Sequence, residues 1–266
     1  MPLLCENVID GTLAVVPENE TWRPATTEGI ALDAKRREAE DSWIGSMAGK
    51  TILIFGGGPQ LRTIPVGQID KWIIDPSLRL AGVNATPMYA RMLWGRYNIF
   101  DYLVAADEFN DAQMKAEAWE WESCPRAVTF RQGVKFGNGT IPFSSSSEPS
   151  PVMRDIFWND SIGAAISLAL MALATAWYDK RGIRHVTRAE GGRIVLIGVE
   201  HNNNVHVIPK STDNPEQAWP GMESKFAEHR EFEKWSRELG ARIYQSCATS
   251  LIQCYESIDL NTIAAA

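Results

Sequence analysis

Thr51-Ile-Leu-Ile-Phe-Gly-Gly-Gly-Pro59 is the stretch that decides the fold. An apolar run with β-branched members stops at three glycines and a proline. That pattern predicts a buried parallel strand, Thr51 to Phe55, running into a tight turn at its carboxyl end. In open α/β sheets ligands bind at that end, and a glycine turn lets backbone N–H groups approach a phosphate. Gly56, Gly57 and Gly58 are therefore the first candidate site residues. No GK[ST] follows, which excludes a Walker loop, and Leu61 stands where a dinucleotide fingerprint needs its third glycine. A purely structural turn is the alternative.

On the carboxyl side, strand and helix patterns alternate. Ile69 to Ile74 reads as a second strand or part of a connection, and Leu80 to Asn84 as a strand. Ala90 to Arg96 reads as a helix, Tyr102 to Ala106 as a strand, Gln113 to Trp121 as a helix and Ala127 to Phe130 as a short strand. Gln132 to Ser150, rich in Gly, Ser and Pro, reads as a long loop, either a lid or a surface excursion. A helix is expected from Ile162 to Asp179 and a buried strand at Arg193 to Gly198. An amphipathic helix at Ser224 to Leu239 has Phe232, Trp235 and Leu239 on one face, with Gly240 after its end and a last strand at Ala241 to Tyr244. The expected fold is α/β: a three-layer, Rossmann-like domain with a mainly parallel sheet, over residues 50–266.

On the amino side, residues 1–49 read as an appendage of irregular structure carrying one helix, from Thr27 to Met47. Trp43, Ile44 and Met47 lie at the spacing that would pack it on the body.

The totals narrow the function classes. The chain has 266 residues, 45% hydrophobic and 22% charged, as in an ordinary globular protein. A formal net charge of −7 argues against a general nucleic-acid-binding surface. No apolar run reaches the roughly 18 to 20 residues of a membrane span, and no basic, then apolar leader opens the chain, so a cytoplasmic location is expected. The four cysteines, Cys5, Cys124, Cys247 and Cys254, form no CxxC pair, which reads as reduced thiols. Ten tryptophans leave room for an aromatic interface, so a homo-oligomer stays open.

Further candidates sit where strands end. Asn84 could hydrogen-bond a base, ribose or phosphate, or simply turn the chain. Asp107 could serve as a base, a metal ligand or a helix cap. Ser161 and Gly163 open the long helix, an anion-ready position that capping alone would also explain. After the strongest strand come Glu200, His201 and His206; either histidine could be a general base or a solvated loop residue. His-x4-His with one Glu is not a standard zinc spacing. His229 reads as solvated on a polar helix face, and His185 as a surface residue.

The order of these pieces resembles a known pattern: strand with Gly-x-Gly-Pro, then Val83-Asn84, a strand ending in Asp107, Ser161-x-Gly-Ala-Ala-Ile opening a helix, Ile-Val-Leu-Ile-Gly-Val-Glu200, and a charged helix leading to a strand and Ser250-Leu-Ile. It is similar to the superfamily of the bacterial CMP-sialic-acid-using sialyltransferases and the 6-hydroxymethylpterin diphosphokinase-like proteins, from about Lys50 to about Leu260. The resemblance implies that Gly56, Gly58 and Asn84 hold the nucleotide part of a donor and that Ser161 and Gly163 line its site. Two departures stand out. Many members carry asparagine at the position of Gly57. The sialyltransferases' catalytic histidine has no counterpart in Pro220-Gly-Met-Glu-Ser224.

The resemblance implies a nucleotide-sugar-dependent, sialyltransferase-like glycosyltransferase. Its partners would be a nucleotide donor and a small-molecule or glycan acceptor, and its base candidates are Asp107, Glu200, His201 and His206. The alternatives are a pyrophosphoryl transferase of the pterin diphosphokinase type, which would need Mg²⁺, and a non-catalytic nucleotide-binding protein.

Overall fold

The structure, a computed structural model, describes residues 3–7, 13–16, 22–27, 30–31, 42–105, 121, 123–125, 127–129, 140–142, 161–178, 184–187, 189, 191–200 and 222–265. Three short strands open the chain: β1 (Leu3–Asn7), β2 (Leu13–Val16) and β3 (Trp22–Pro24), an antiparallel sheet of order β2-β1-β3. This corrects the expectation of irregular structure there.

The main body follows: β4 (Thr51–Phe55), α1 (Val66–Ile74), β5 (Leu78–Val83), α2 (Thr86–Trp94), β6 (Tyr102–Ala105), β7 (Ala127–Thr129) and β8 (Thr140–Pro142). Then come α3 (Ser161–Leu173), β9 (Thr175–Tyr178), β10 (Arg184–Thr187), β11 (Arg193–Ile197), α4 (Met222–Leu239), β12 (Arg242–Gln245) and β13 (Glu256–Ser257). Eight of the strands form one sheet, β13-β12-β11-β4-β5-β6-β7-β8, and every pairing in it is parallel. β9 and β10 pair antiparallel by themselves.

Strand alternation sorts the core into two layers. Ile52 and Ile54 of β4 face one side with Ile194 and Leu196 of β11, under α3 and Phe232 and Leu239 of α4. Leu53 and Phe55 face the other with Val195 and Ile197, under Ile69 and Trp72 of α1 and Tyr89 and Trp94 of α2. Phe55 touches the rings of Trp72, Trp94 and Phe100 at 6.1, 5.9 and 5.8 Å, all edge-on. The α3 helix is apolar all round because it is covered all round; Ile162 alone among its residues is not fully buried. The chain is thus a three-layer α/β protein with a Rossmann-like parallel sheet.

Several boundaries differ from the sequence reading. Ile69 to Ile74 is the last six of the nine residues of α1: Ile69 and Trp72, three apart, are buried while Asp70, Lys71 and Ile74 are not. The long helix stops at Leu173 rather than Asp179, and Thr175–Tyr178 is strand β9. Thr140–Pro142, inside the segment read as a loop, is sheet strand β8; the rest of that segment lies outside the described residues, as do most of the expected helices at Gln113 to Trp121 and Thr27 to Met47. Trp43 and Met47 do pack on the body. Trp43 is fully buried, its indole N–H donates to the Leu168 carbonyl at 2.6 Å, and its ring meets Tyr102 edge-on at 5.1 Å.

Among the described residues no helix is long and apolar enough to cross a membrane.

Candidate functional site

Chain order positions the site. From β4 the chain winds outward through β5 and β6, then returns to place β11 on the other side of β4. The order reverses between β4 and β11, and the carboxyl ends of two such strands form the binding crevice of an open α/β sheet. Gly56 to Gly58 leave β4 there, and Gly198, Val199 and Glu200 leave β11 there.

The two loops do not splay apart. The Gly56 N–H donates to the Ile197 carbonyl and the Gly58 N–H to the Gly198 carbonyl, both at 2.8 Å. A Cβ at Gly56 would lie 2.6 Å from the Gly198 oxygen, and one at Gly58 2.7 Å from it. These two glycines thus let β4 and β11 stay zipped past the ends of the strands, and their amides are already engaged. The Gly57 N–H has no hydrogen-bond partner among the described residues. Gly198 has φ +64°, a left-handed conformation that glycine adopts without strain.

A side-chain lock holds this junction. Pro59–Thr63 forms a short 3₁₀ turn, and the Gln60 side chain reaches back across it. Its Oε1 accepts the Gly198 N–H at 2.8 Å and lies 3.1 Å from the Ser246 hydroxyl, which also donates to the Leu196 carbonyl at 2.7 Å. The Gln60 backbone N–H donates to Glu200 Oε1 at 2.6 Å. Glu200 is half-buried. Burial pushes its carboxyl above the ordinary carboxylate range, and the Gln60 N–H opposes that shift. From the segment after β12, the Leu251 N–H donates to the Glu200 carbonyl at 3.2 Å, while Gln245 Nε2 donates to the Val199 carbonyl at 2.7 Å.

Two more candidates meet one strand away. Asn84 ends β5 with φ +51°, and its N–H donates to the Val104 carbonyl at 3.0 Å. The Ser161 hydroxyl, buried in the first turn of α3, donates to Asn84 Oδ1 at 3.0 Å. Gly163 is buried in the same helix. The first turns of α2 and α3 carry no acidic residue, so the positive end of each helix dipole is not neutralised from within.

The structure therefore brings together Gly56, Gly57, Gly58 and Glu200, and separately Asn84 and Ser161, all at the carboxyl edge of the sheet. Asp107, His201 and His206 lie outside the described residues. The side chain of His185, on β10, does too. Among the described residues, no group of three or more His, Cys, Asp or Glu side chains gathers as a metal site. Gln60 and Ser246 escaped the sequence reading; their partners lie 138 and 186 positions apart in the chain. His229, expected in solvent, is buried, with its Nδ1 2.7 Å from the Tyr255 hydroxyl. The segment containing Tyr255 covers a helix face that sequence polarity had assigned to water.

No family model matches the chain, and no curated protein matches it. Among solved structures, the MAf glycosyltransferase from Magnetospirillum magneticum AMB-1 is similar, with a TM-score of 0.53 and 10% identity over 96% of this chain. The chain spans 45% of that protein's length. At such identity the likeness is one of fold.

Proposed function

We propose that the protein is a nucleotide-sugar-dependent glycosyltransferase of sialyltransferase-like type. Its donor would lie over the crevice between β4 and β11. The observation that carries this reading is the reversal of strand order there. At that reversal the Gly57 loop leaves β4 and the Glu200 loop leaves β11, bonded to each other, with Asn84 and Ser161 one strand away. The fold shared with a glycosyltransferase supports it.

In this reading the Gly57 N–H and the first turn of α3 face the donor phosphate, and the Asn84 amide meets the nucleotide. Glu200 is the described base candidate: Oε1 is held by Gln60, leaving Oε2 for the acceptor hydroxyl. The acceptor oxygen forms a bond to the anomeric carbon as the bond from that carbon to the phosphate oxygen breaks. The hydroxyl proton passes to Glu200, and the electron pair leaves with the phosphate. A carboxyl raised by burial sits closer to working pH and is a better base for this step. Asp107, His201 and His206 stay as further base candidates.

The test is thermal stabilisation by CMP, other nucleotides, nucleotide sugars and ATP, each with and without Mg²⁺. A ligand that binds only the native state at 100 times its Kd adds about 2.7 kcal/mol of stability. Saturable stabilisation by CMP or a CMP-linked sugar, with donor turnover, is the expected outcome. A response to ATP with Mg²⁺ alone would transfer the site to pyrophosphoryl transfer. No response to any nucleotide would sink the reading.

A further inference from the structure

We infer that Gln60 is the positioning residue of this site: its side-chain oxygen, clamping β11 and the end of β12, holds its own backbone N–H on the Glu200 carboxylate. Three observations converge on this one residue. First, Gln60 Oε1 takes the Gly198 N–H at 2.8 Å, and because an N–H must meet an acceptor, this contact fixes which way the amide faces. Second, the same oxygen lies 3.1 Å from the Ser246 hydroxyl, so the ends of β11 and β12 meet on a single atom. Third, the Gln60 N–H donates to Glu200 Oε1 at 2.6 Å, a close contact for an amide.

The arrangement differs from ordinary capping. A carboxylate near a helix start commonly accepts from N–H groups to close the helix. Here the turn is only five residues long, and its own side chain is anchored 138 positions away on the far side of the switch point. The clamp and the carboxylate are therefore coupled. If the side chain lets go of Gly198, the turn keeps the Gly58 N–H bond to the Gly198 carbonyl but loses the clamp at Gln60, and the Gln60 N–H is held less firmly on Glu200. Gly58 packs against the same carboxyl, since a Cβ there would lie 3.1 Å from Glu200 Cδ. The lock thus fixes the carboxyl from two sides and leaves one oxygen for a reactant.

Among the described residues, the groups that face Glu200 are few. From the turn these are Gly58 and Gln60, with Arg62 on the same element. From the segment after β12 it is the Leu251 backbone, with Cys247 and Cys254 as the titratable side chains there. Among the described residues only burial and the Gln60 N–H move the Glu200 carboxyl.

The inference rests on the transferase reading only for what Glu200 does; the coupling itself can be read without turnover. The position-60 amide is followed by NMR across pH, with Glu200→Gln as the assignment control. In the wild type its proton shift titrates with Glu200 and loses that step in Glu200→Gln. Gln60→Leu, which removes the acceptor oxygen, should abolish the step. Ser246→Ala, a milder change that keeps the turn folded, should weaken it. Gln60→Glu keeps an acceptor for both donors, so the Glu200 step returns, read as the part of the position-60 titration that is lost when Glu200→Gln is added.

Under turnover, Gln60→Leu should lower kcat about tenfold or more, up to the ~10²-fold that misplacement by ~1 Å costs. The donor KM should hold, and Gln60→Glu should recover most of the activity. The inference is overturned if the position-60 amide ignores Glu200 in the wild type, or if Gln60→Leu leaves the step intact. Absence of turnover with every donor would remove the transferase reading, while the NMR arm would still decide the coupling.

Discussion

The Ser161 hydroxyl donates to Asn84 Oδ1 at 3.0 Å, tying the first turn of α3 to the carboxyl end of β5 across 77 positions of chain. This bond sets the direction of the Asn84 amide. With Oδ1 engaged, the NH₂ end is the one offered outward as a donor.

Ser161→Ala should release that amide. The expected effect is a raised donor KM with kcat little changed, as when binding weakens equally in the ground and transition states. Stability should fall by about 1 kcal/mol, the usual net worth of one hydrogen bond. Kinetics and urea titration read the two effects separately.

Asn84 should separate backbone from side chain. Its φ of +51° suits asparagine and glycine, whereas other side chains lose roughly 1–2 kcal/mol there. Asn84→Gly should therefore keep most of the stability and lose nucleotide stabilisation. Asn84→Val should lose both. Equal nucleotide stabilisation of wild type and Asn84→Gly would remove Asn84 from the donor site.

Gly56→Ala and Gly58→Ala each place a methyl group against the Gly198 carbonyl, at 2.6 and 2.7 Å. The junction of β4 and β11 must open to admit it, at a cost of about 1–3 kcal/mol each. Thermal unfolding checks this. A fall in stability that a nucleotide does not restore would mark these two glycines as packing residues and leave Gly57 as the ligand-facing position.

Glu200 gives a stability signature with a definite sign. Its folded-state value is raised above the unfolded reference of 4.5, so the native state holds its proton more tightly. Its contribution is fully present below that reference and is lost as pH rises through the raised value. Glu200→Gln should flatten the decline and leave the protein at least as stable near neutral pH. Tm measured from pH 4 to 8 on both proteins shows it; a wild type that gains stability relative to Glu200→Gln as pH rises would contradict the assignment.

Tyr255→Phe removes the hydroxyl beside buried His229 Nδ1. Leaving a buried polar atom without that partner should cost about 1–3 kcal/mol. The urea midpoint should fall while the m-value holds, since the packed surface is unchanged.

How far the sequence revealed this molecule varied by element. β4 and β11 were plain because a central parallel strand is buried on both faces and reads as an unbroken apolar run. α4 was plain because one of its faces is wet. Ile69 to Ile74 misled because a β-branched cluster favours strand locally, while packing on Phe55 makes it a helix. β9 misled because Ala174 and Ala176 continue the alanine-rich composition of α3 beyond the helix end. At the site, the glycines, Asn84 and Glu200 were legible as residue types at strand ends, and Ser161 at a helix start. Their division of labour was not. Which amides of the turn are already engaged depends on Gly198, and local sequence carries no trace of a neighbour so far along the chain.

That separation has a consequence for how the protein is made. β4 is the centre of the finished sheet, yet its partner strand β11 begins 142 positions later. At synthesis rates of about 5–20 residues per second, that interval lasts about 7 to 28 s. Until then Thr51–Phe55 has β5 on one side and an open apolar edge on the other, the form of strand most prone to wrong pairing. The nascent chain thus passes through a stage in which half of its future crevice is exposed, and that stage is where chaperone dependence and low-temperature expression should show their largest effect on yield.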